Sequence, residues 1–250
     1  MKFLRLLYRL FILLKPQYGF NVIAIIYKMG GFVAEYFRYK SLHKNEQYQI
    51  SIFDWYPCLT DRTENTPLDP VYFYQDAWAA GKIFQNKPSH HYDVGSSAKT
   101  IGIISQFVPT TMVDIRPVQL KLENLFFKQG SIVELPFEDN SIESISSLCV
   151  VEHIGLGRYG DPLDQFGSEK AIKELQRVTK KGGYIYFSVP VDSKNIVFFN
   201  GHRAFTRHYL ILLFEKSELV EEKYISNNEL LNQYSLSKGY TVGLFLFKKV

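Results

Sequence analysis

Apolar and polar positions change their spacing near residue 90, and the change divides the chain. Before it, apolar residues recur at helical intervals. Phe3, Leu4, Leu7, Leu10, Phe11 and Leu14 cover most of a predicted helix over residues 2–14, while Lys2, Arg5 and Arg9 recur at i, i+3, i+7 along one face. A second helical stretch is predicted over 19–39, weakened by Gly30 and Gly31. Residues 48–70, punctuated by Pro57, Pro67 and Pro70, read as an irregular segment carrying Trp55, Tyr56 and Cys58. Asp69-Pro70 then precedes a helix predicted over 72–84.

From residue 90 onward, short apolar runs alternate with helical patterns, as in an α/β layer. Strands are predicted at 90–94, 111–115, 130–133, 142–149 and 184–189, with late strands at 219–224 and 242–247. Helices are predicted at 99–106 and 168–178. In the second of these Ile172, Leu175 and Val178 lie in phase. Lys180 and Lys181 suit the negative end of its dipole, and Gly182-Gly183 reads as its C-cap. The expected architecture is a mainly parallel sheet with helices on both faces and an antiparallel last strand. Residues 1–70 are expected to form a helical and irregular extension, and 71–250 the α/β domain.

Composition narrows the function classes. The chain has 250 residues, 46% hydrophobic and 22% charged, which suits a packed core and not wholesale disorder. A net charge of +4 is too mild to argue for nucleic acid. Two cysteines cannot form a disulfide framework, and there is no CxxC for zinc, so a reducing, cytoplasmic setting fits best. No apolar run approaches the ~18 residues of a membrane span, and no small-residue cleavage site follows the basic start. Two readings of residues 2–14 stay open: a helix packed on the main domain, or an interfacial helix on an anionic membrane.

An adenosine cofactor on an open parallel sheet needs a tight turn after the first strand, an acidic residue ending the second, and an adenine pocket at the third. Asp93-Val94-Gly95-Ser96-Ser97 supplies the turn. Asp114, with Ile115, ends the second strand about 20 residues on, and Ser131-Ile132 ends the third. The absence of GxGxxG argues against a nicotinamide enzyme, and the absence of GKT or GKS against a phosphate loop.

Later segments carry a resemblance. The run from Gly130 to Ile142, with Leu135-Pro136-Phe137 at its centre, resembles the third-to-fourth-strand region of class I S-adenosylmethionine-dependent methyltransferases. Val151-Glu152-His153-Ile154 resembles the stretch past strand four that faces the methyl donor. The run from Glu174 to Gly183 is similar to the helix and turn before strand five. The likeness covers 90–190 well and 191–250 loosely. Ser131 stands where that family often has Asp, and the turn holds one glycine where nucleotide binders often have two or three. Tyr72–Trp78 and Asp54–Leu59 look like a narrower branch encoded among bacterial surface-polysaccharide genes.

The resemblance implies a Rossmann-like fold, S-adenosyl-L-methionine as cofactor, and methylation of a sugar or sugar-linked acceptor. The cofactor candidates are Asp93, Gly95, Ser96, Asp114, Ile115, Ser131, Ile132 and Cys149, with Gln75 and Tyr74 near the methionine end. His153 is the candidate base and Glu152 its orienting neighbour. Arg158, His202 and Arg203 are acceptor candidates. The glycine-rich loop that ends in Asp161 and Asp164 reads as solvated or as a lid. A divalent ion held by these two with Glu152 is the alternative, and no metal is expected. The expected partner is a small-molecule or lipid-linked sugar, with peripheral membrane contact through residues 2–15. A non-catalytic binding protein of this fold, or a membrane-surface scaffold, is the rival class.

Overall fold

The computed structural model describes residues 22–42, 44–234 and 241–250. The predicted helix over 2–14 and its basic stripe lie outside the described residues. The chain divides into two units, Met1–Pro67 and Leu68–Val250.

In the first unit, helix α1 (Val22–Leu42) runs through Gly30 and Gly31 and past the expected end at 39. Two glycines weaken a helix by about 1 kcal/mol each without breaking it. Phe32 and Tyr36 meet the Trp55 ring edge-on at 5.3 and 5.1 Å, so aromatic contacts gather the irregular segment. Ser51 caps a short 3-10 turn (Ile52–Asp54) through the Phe53 amide. No helix among the described residues is long and apolar enough to cross a membrane.

The second unit opens with α2 (Pro70–Asn86). Asp69 caps it by accepting from the Val71 and Tyr72 amides, and proline occupies its first turn. There follow β1 (His91–Val94), α3 (Ala98–Ile104), β2 (Thr110–Asp114), β3 (Leu125–Gln129) and β4 (Ile142–Leu148). The remainder is α4 (Gly167–Val178), β5 (Thr179–Val191), the hairpin β6 (Ile196–Phe198) and β7 (His202–Ala204), α5 (Arg207–Leu213), β8 (Ser217–Ser226), β9 (Glu229–Leu231) and β10 (Thr241–Lys249). The eight-stranded sheet has the order β3-β2-β1-β4-β5-β10-β8-β9. Strands β1 to β5 pair in parallel, and β10 runs antiparallel between β5 and β8. The predicted doubly wound α/β architecture is therefore observed, with the first two strands adjacent.

Alternation along the strands feeds two cores. Ile145, Ile185, Phe187, Phe245 and Phe247 face α4 and α5, while Tyr186, Leu244 and Leu246 face α2 and α3.

Three local expectations are corrected. The third strand is Leu125–Gln129 and not 130–133. It is an edge strand with several exposed positions, so its apolar signal is weak and the turn after it, with Ile132 and Val133, looks more like a strand. Gly182-Gly183 is not a helix cap. Helix α4 ends at Val178, Thr179 already begins β5 with its hydroxyl on the Leu175 carbonyl, and Gly182 (φ +77°) serves the register shift opposite Ile142 and Ser144. Pro190 does not end β5 either, since it pairs with Val242 inside the sheet.

Candidate functional site

The sheet reverses its strand order between β1 and β4, and crevices form beyond strand ends at such a point. Gly95, at φ +73°, turns the chain sharply after β1, and its amide donates to the Val113 carbonyl at 2.9 Å. A Cβ there would sit 3.0 Å from Val150 Cγ1, so glycine answers both the backbone conformation and the space. Beneath the turn Asp93 is fully buried. Its Oδ1 accepts from the Ser96 amide at 3.0 Å, and its Oδ2 from the Ser96 and Ser146 hydroxyls, each at 2.5 Å. Burial pushes its pKa up to about 6, against the pull of those hydrogen bonds.

Asp114 ends β2, and its Oδ1 accepts from the Arg116 amide at 2.8 Å. Gly95, Val113, Asp114, Ile115, Ser131 and Ile132 line a cavity of about 270 Å³ that reaches Cys149 and Val150. Ile115 is 39% exposed and Ile132 buried, and together they give apolar walls beside the Asp114 carboxylate, while Asp161 and Asp164 also line the cavity. A more polar cleft of about 510 Å³ shares Gly95, Cys149, His153 and Tyr159 with that cavity and adds Ser96, Glu152, Arg158, His202 and Tyr72. Of the cofactor candidates on the Gly95 turn and at the strand ends, Asp93 alone lines neither. It shapes the turn from below.

Past β4, Cys149 takes a left-handed conformation (φ +52°), and its amide donates to the Ser188 carbonyl and hydroxyl at 3.0 and 2.9 Å. This redirects the chain into a 3-10 turn (Val151–His153). Glu152 is 2% exposed, and its Oε2 has no hydrogen-bond partner among the described residues. Burial pushes its pKa up to about 8, so it is mostly protonated at neutrality.

The His153 Nδ1 lies 2.7 Å from the Gly201 carbonyl. A carbonyl only accepts, so Nδ1 carries the proton and Nε2 keeps its lone pair, 3.6 Å from Glu152 Oε1. Burial also lowers the His153 pKa, which keeps the ring neutral. The contact at Nδ1 is thus a backbone carbonyl presented by the β6–β7 hairpin, while Glu152 lies on the Nε2 side. Arg158 donates to the same carbonyl at 3.0 Å. His202 packs on Phe198 at 4.8 Å, and burial lowers its pKa.

Three other candidates lie elsewhere. Arg203, 7% exposed, donates to the carbonyls of Ile154, Asp164 and Gln165 and to the Ser168 hydroxyl, so it clamps the glycine-rich loop and lines neither space. Gln75 accepts from the Ser188 hydroxyl at 2.6 Å, and the Tyr74 hydroxyl donates to the Asn228 carbonyl. Neither lines the cavity or the cleft. Asp161 accepts from the Gly155 and Tyr159 amides, and Asp164 accepts from the Phe166 amide and Lys170. Among the described residues no group of His, Cys, Asp and Glu is placed to hold a metal.

Sequence reasoning missed Tyr159 and Tyr72. Tyr159 lies between the Arg116 and Arg158 guanidiniums, 4.8 and 5.2 Å from its ring centre, and meets His153 edge-on. Its signal was an aromatic residue inside a glycine-rich loop directly after Arg158.

A family model described as a Caenorhabditis protein of unknown function, DUF268, matches residues 128–238. An uncharacterized methyltransferase of Schizosaccharomyces pombe is 38% identical over 65 residues, 26% of this chain. The matched stretch spans 19% of that relative's length. The 1,6-didemethyltoxoflavin-N1-methyltransferase of Burkholderia thailandensis, solved with S-adenosylhomocysteine, superposes with a TM-score of 0.54 at 12% identity, covering 74% of this chain and 93% of that one. The N-methyltransferase NodS of Bradyrhizobium japonicum, also solved with S-adenosylhomocysteine, superposes at 0.53 with 14% identity, covering 72% and 88%. The fold is that of the class I S-adenosylmethionine-dependent methyltransferases.

Proposed function

We propose that this chain is an S-adenosylmethionine-dependent methyltransferase acting on a hydroxyl of a sugar or sugar-linked acceptor. The observation that carries the reading is one continuous arrangement. An apolar cavity edged by Asp114 lies over the Gly95 turn and adjoins a polar cleft holding the acceptor nitrogen of His153.

The residues fit the cofactor. Asp114 is placed to accept from ribose hydroxyls, and Ile115 and Ile132 to flank an adenine. The Glu152 Oε2, without a partner among the described residues, is a buried acceptor where a positive methionine end would restore the carboxylate. When bound, the cofactor supplies a methyl carbon already made electrophilic by its sulfonium. The protein's own work is to align the acceptor, exclude water and take a proton. His153 Nε2 is the base, and the Gly201 carbonyl holds its ring. A base in this position is worth roughly 10²–10⁴-fold. Arg158 and His202, on the cleft, suit an anionic group on the acceptor, and Arg203 holds the loop that carries Arg158.

The place of work we propose is cytoplasmic, peripheral at an anionic inner membrane through residues 2–15, where a lipid-linked sugar is presented. Each Lys or Arg near such a surface contributes about 1 kcal/mol, which supports reversible contact by Lys2, Arg5 and Arg9.

Calorimetric titration of the full chain with S-adenosylmethionine is the test. Saturable binding is expected, and a folded chain that gives no heat and no thermal shift overturns the proposal. His153→Ala should cut methyl transfer by about 10²-fold or more and leave cofactor affinity unchanged. Because burial lowers the His153 pKa, the ascending limb of the pH–rate profile should lie below the ordinary histidine value and vanish in that variant. Cofactor binding with no transfer to any sugar-linked acceptor would favour the non-catalytic class.

A further inference from the structure

The motifs do not account for a buried polar stripe across the middle of the sheet. His91 and Asp93 are two residues apart on β1 and so share one face, and β4 sets Ser144 and Ser146 on that face, with Ser146 opposite Asp93. All four are buried. His91 Nδ1 lies 2.8 Å from the Ser144 hydroxyl, and its Nε2 lies 3.0 Å from the Ser146 hydroxyl. Ser146 reaches Asp93 Oδ2 at 2.5 Å, and Asp93 holds Ser96 through both the amide and the hydroxyl. The Ser96 oxygen in turn accepts from the Leu148 amide at 3.0 Å.

With Asp93 ionised, the chain has one direction. A carboxylate only accepts, so the Ser146 hydroxyl donates to it, and the Ser146 oxygen must then accept from His91 Nε2–H. That leaves His91 Nδ1 to accept from Ser144. The tautomer is opposite to that of His153. Every proton is thereby assigned, from Ser144 to the Leu148 amide beside Cys149 at the cavity edge.

We propose that His91 and Ser146 are positioning residues for the cofactor turn, acting through Asp93 on Ser96. Asp93 alone would suffice to cap the turn. The two residues behind it fix its rotamer and give its buried charge a further donor. The titratable groups whose charge reaches the relay are Asp114 from β2, His90 just before β1, and Tyr186 from β5, whose hydroxyl meets Asn86 of α2 and Ser144. Asp76 of α2 is held by Thr100 and Gln75.

The test is NMR of the whole protein without cofactor, following the Asp93 carboxyl carbon and the Ser96 and Leu148 amides against pH. In the parent these should titrate together. Ser146→Ala, which removes only a hydroxyl, should raise the Asp93 midpoint by about one unit and move the Ser96 amide with it. His91→Phe should shift it the same way by less. A folded Ser146→Ala protein with an unchanged midpoint and an unchanged Ser96 amide overturns the proposal. A second readout rests on the function proposed above. S-adenosylmethionine affinity of Ser146→Ala should fall roughly fivefold near pH 6 and recover toward pH 8, as Asp93 ionises again. If the parent binds no cofactor while Asp93 and Ser96 still titrate as one, the methyltransferase reading fails and the relay stands.

Discussion

The two faces of the central sheet are built from the same strands and do different work. On the face under α4 and α5, Ile145, Ile185, Phe187, Val189, Phe245 and Phe247 meet Ala171, Ile172, Leu175 and Val178. Phe214 stacks on Phe247 at 3.9 Å and meets Phe187 at 5.0 Å. On the face under α2 and α3, Leu244, Leu246, Ile101 and Ile104 are apolar, but β1 and β4 present His91, Asp93, Ser144 and Ser146. The polar stripe lies where the strand order reverses and the Gly95 turn is held from below. Dispersion and burial make the first face the store of stability, whereas directional hydrogen bonds make the second a support for geometry.

The largest effect should come from the apolar face. Phe187→Ala leaves a cavity in a closed core and should cost about 3–5 kcal/mol in denaturant unfolding. Ser144→Ala, on the opposite face, should cost less than about 1.5 kcal/mol, near one neutral hydrogen bond. Equal costs would erase the distinction between the faces.

The next effect separates binding from folding. Asp114→Ala should weaken S-adenosylmethionine binding by about 1.5–3 kcal/mol with little change in melting temperature, since its carboxylate meets Arg116 at the strand end. Unchanged binding would remove Asp114 from the ribose site.

Glu152 gives a pH signature. Its folded pKa lies above the unfolded value, so between about 4.5 and 8 the native state binds the extra proton and stability falls as pH rises. Glu152→Gln should flatten that slope and raise stability on the alkaline side. A parent whose stability rises from pH 5 to 8, with Glu152→Gln parallel to it, would contradict the buried, protonated carboxyl.

The smallest effect belongs to the surface. Lys180→Ala removes the partner of Glu143, 2.8 Å away, and should cost no more than about 1 kcal/mol near neutrality. Lys180 and Ser89 hold the Glu143 pKa down to about 2, so this contribution is present above about pH 4.5 and lost as pH falls toward 2. A chemical melt at pH 7 and at pH 3 should show the variant's deficit shrinking.

Much of this was readable in the linear pattern. The in-phase Ile172, Leu175 and Val178 mark α4, and Gly95, Asp114 and Ser131-Ile132, singled out by their order along the chain, line one cavity. These features are local: a helical period, a strand period, or a turn that needs glycine. What the tertiary structure decided is long-range. The edge position of β3, the burial of Arg203 under the glycine-rich loop, and the Gly201 carbonyl on His153 across 48 residues have no periodic signal. The same holds for His91, which reads as one more strand residue until β4 sets Ser144 and Ser146 against it. A strand's period says which residues share a face. Only the pairing of strands says which side chains on that face must satisfy one another, because a buried polar atom takes its role from the partner it meets.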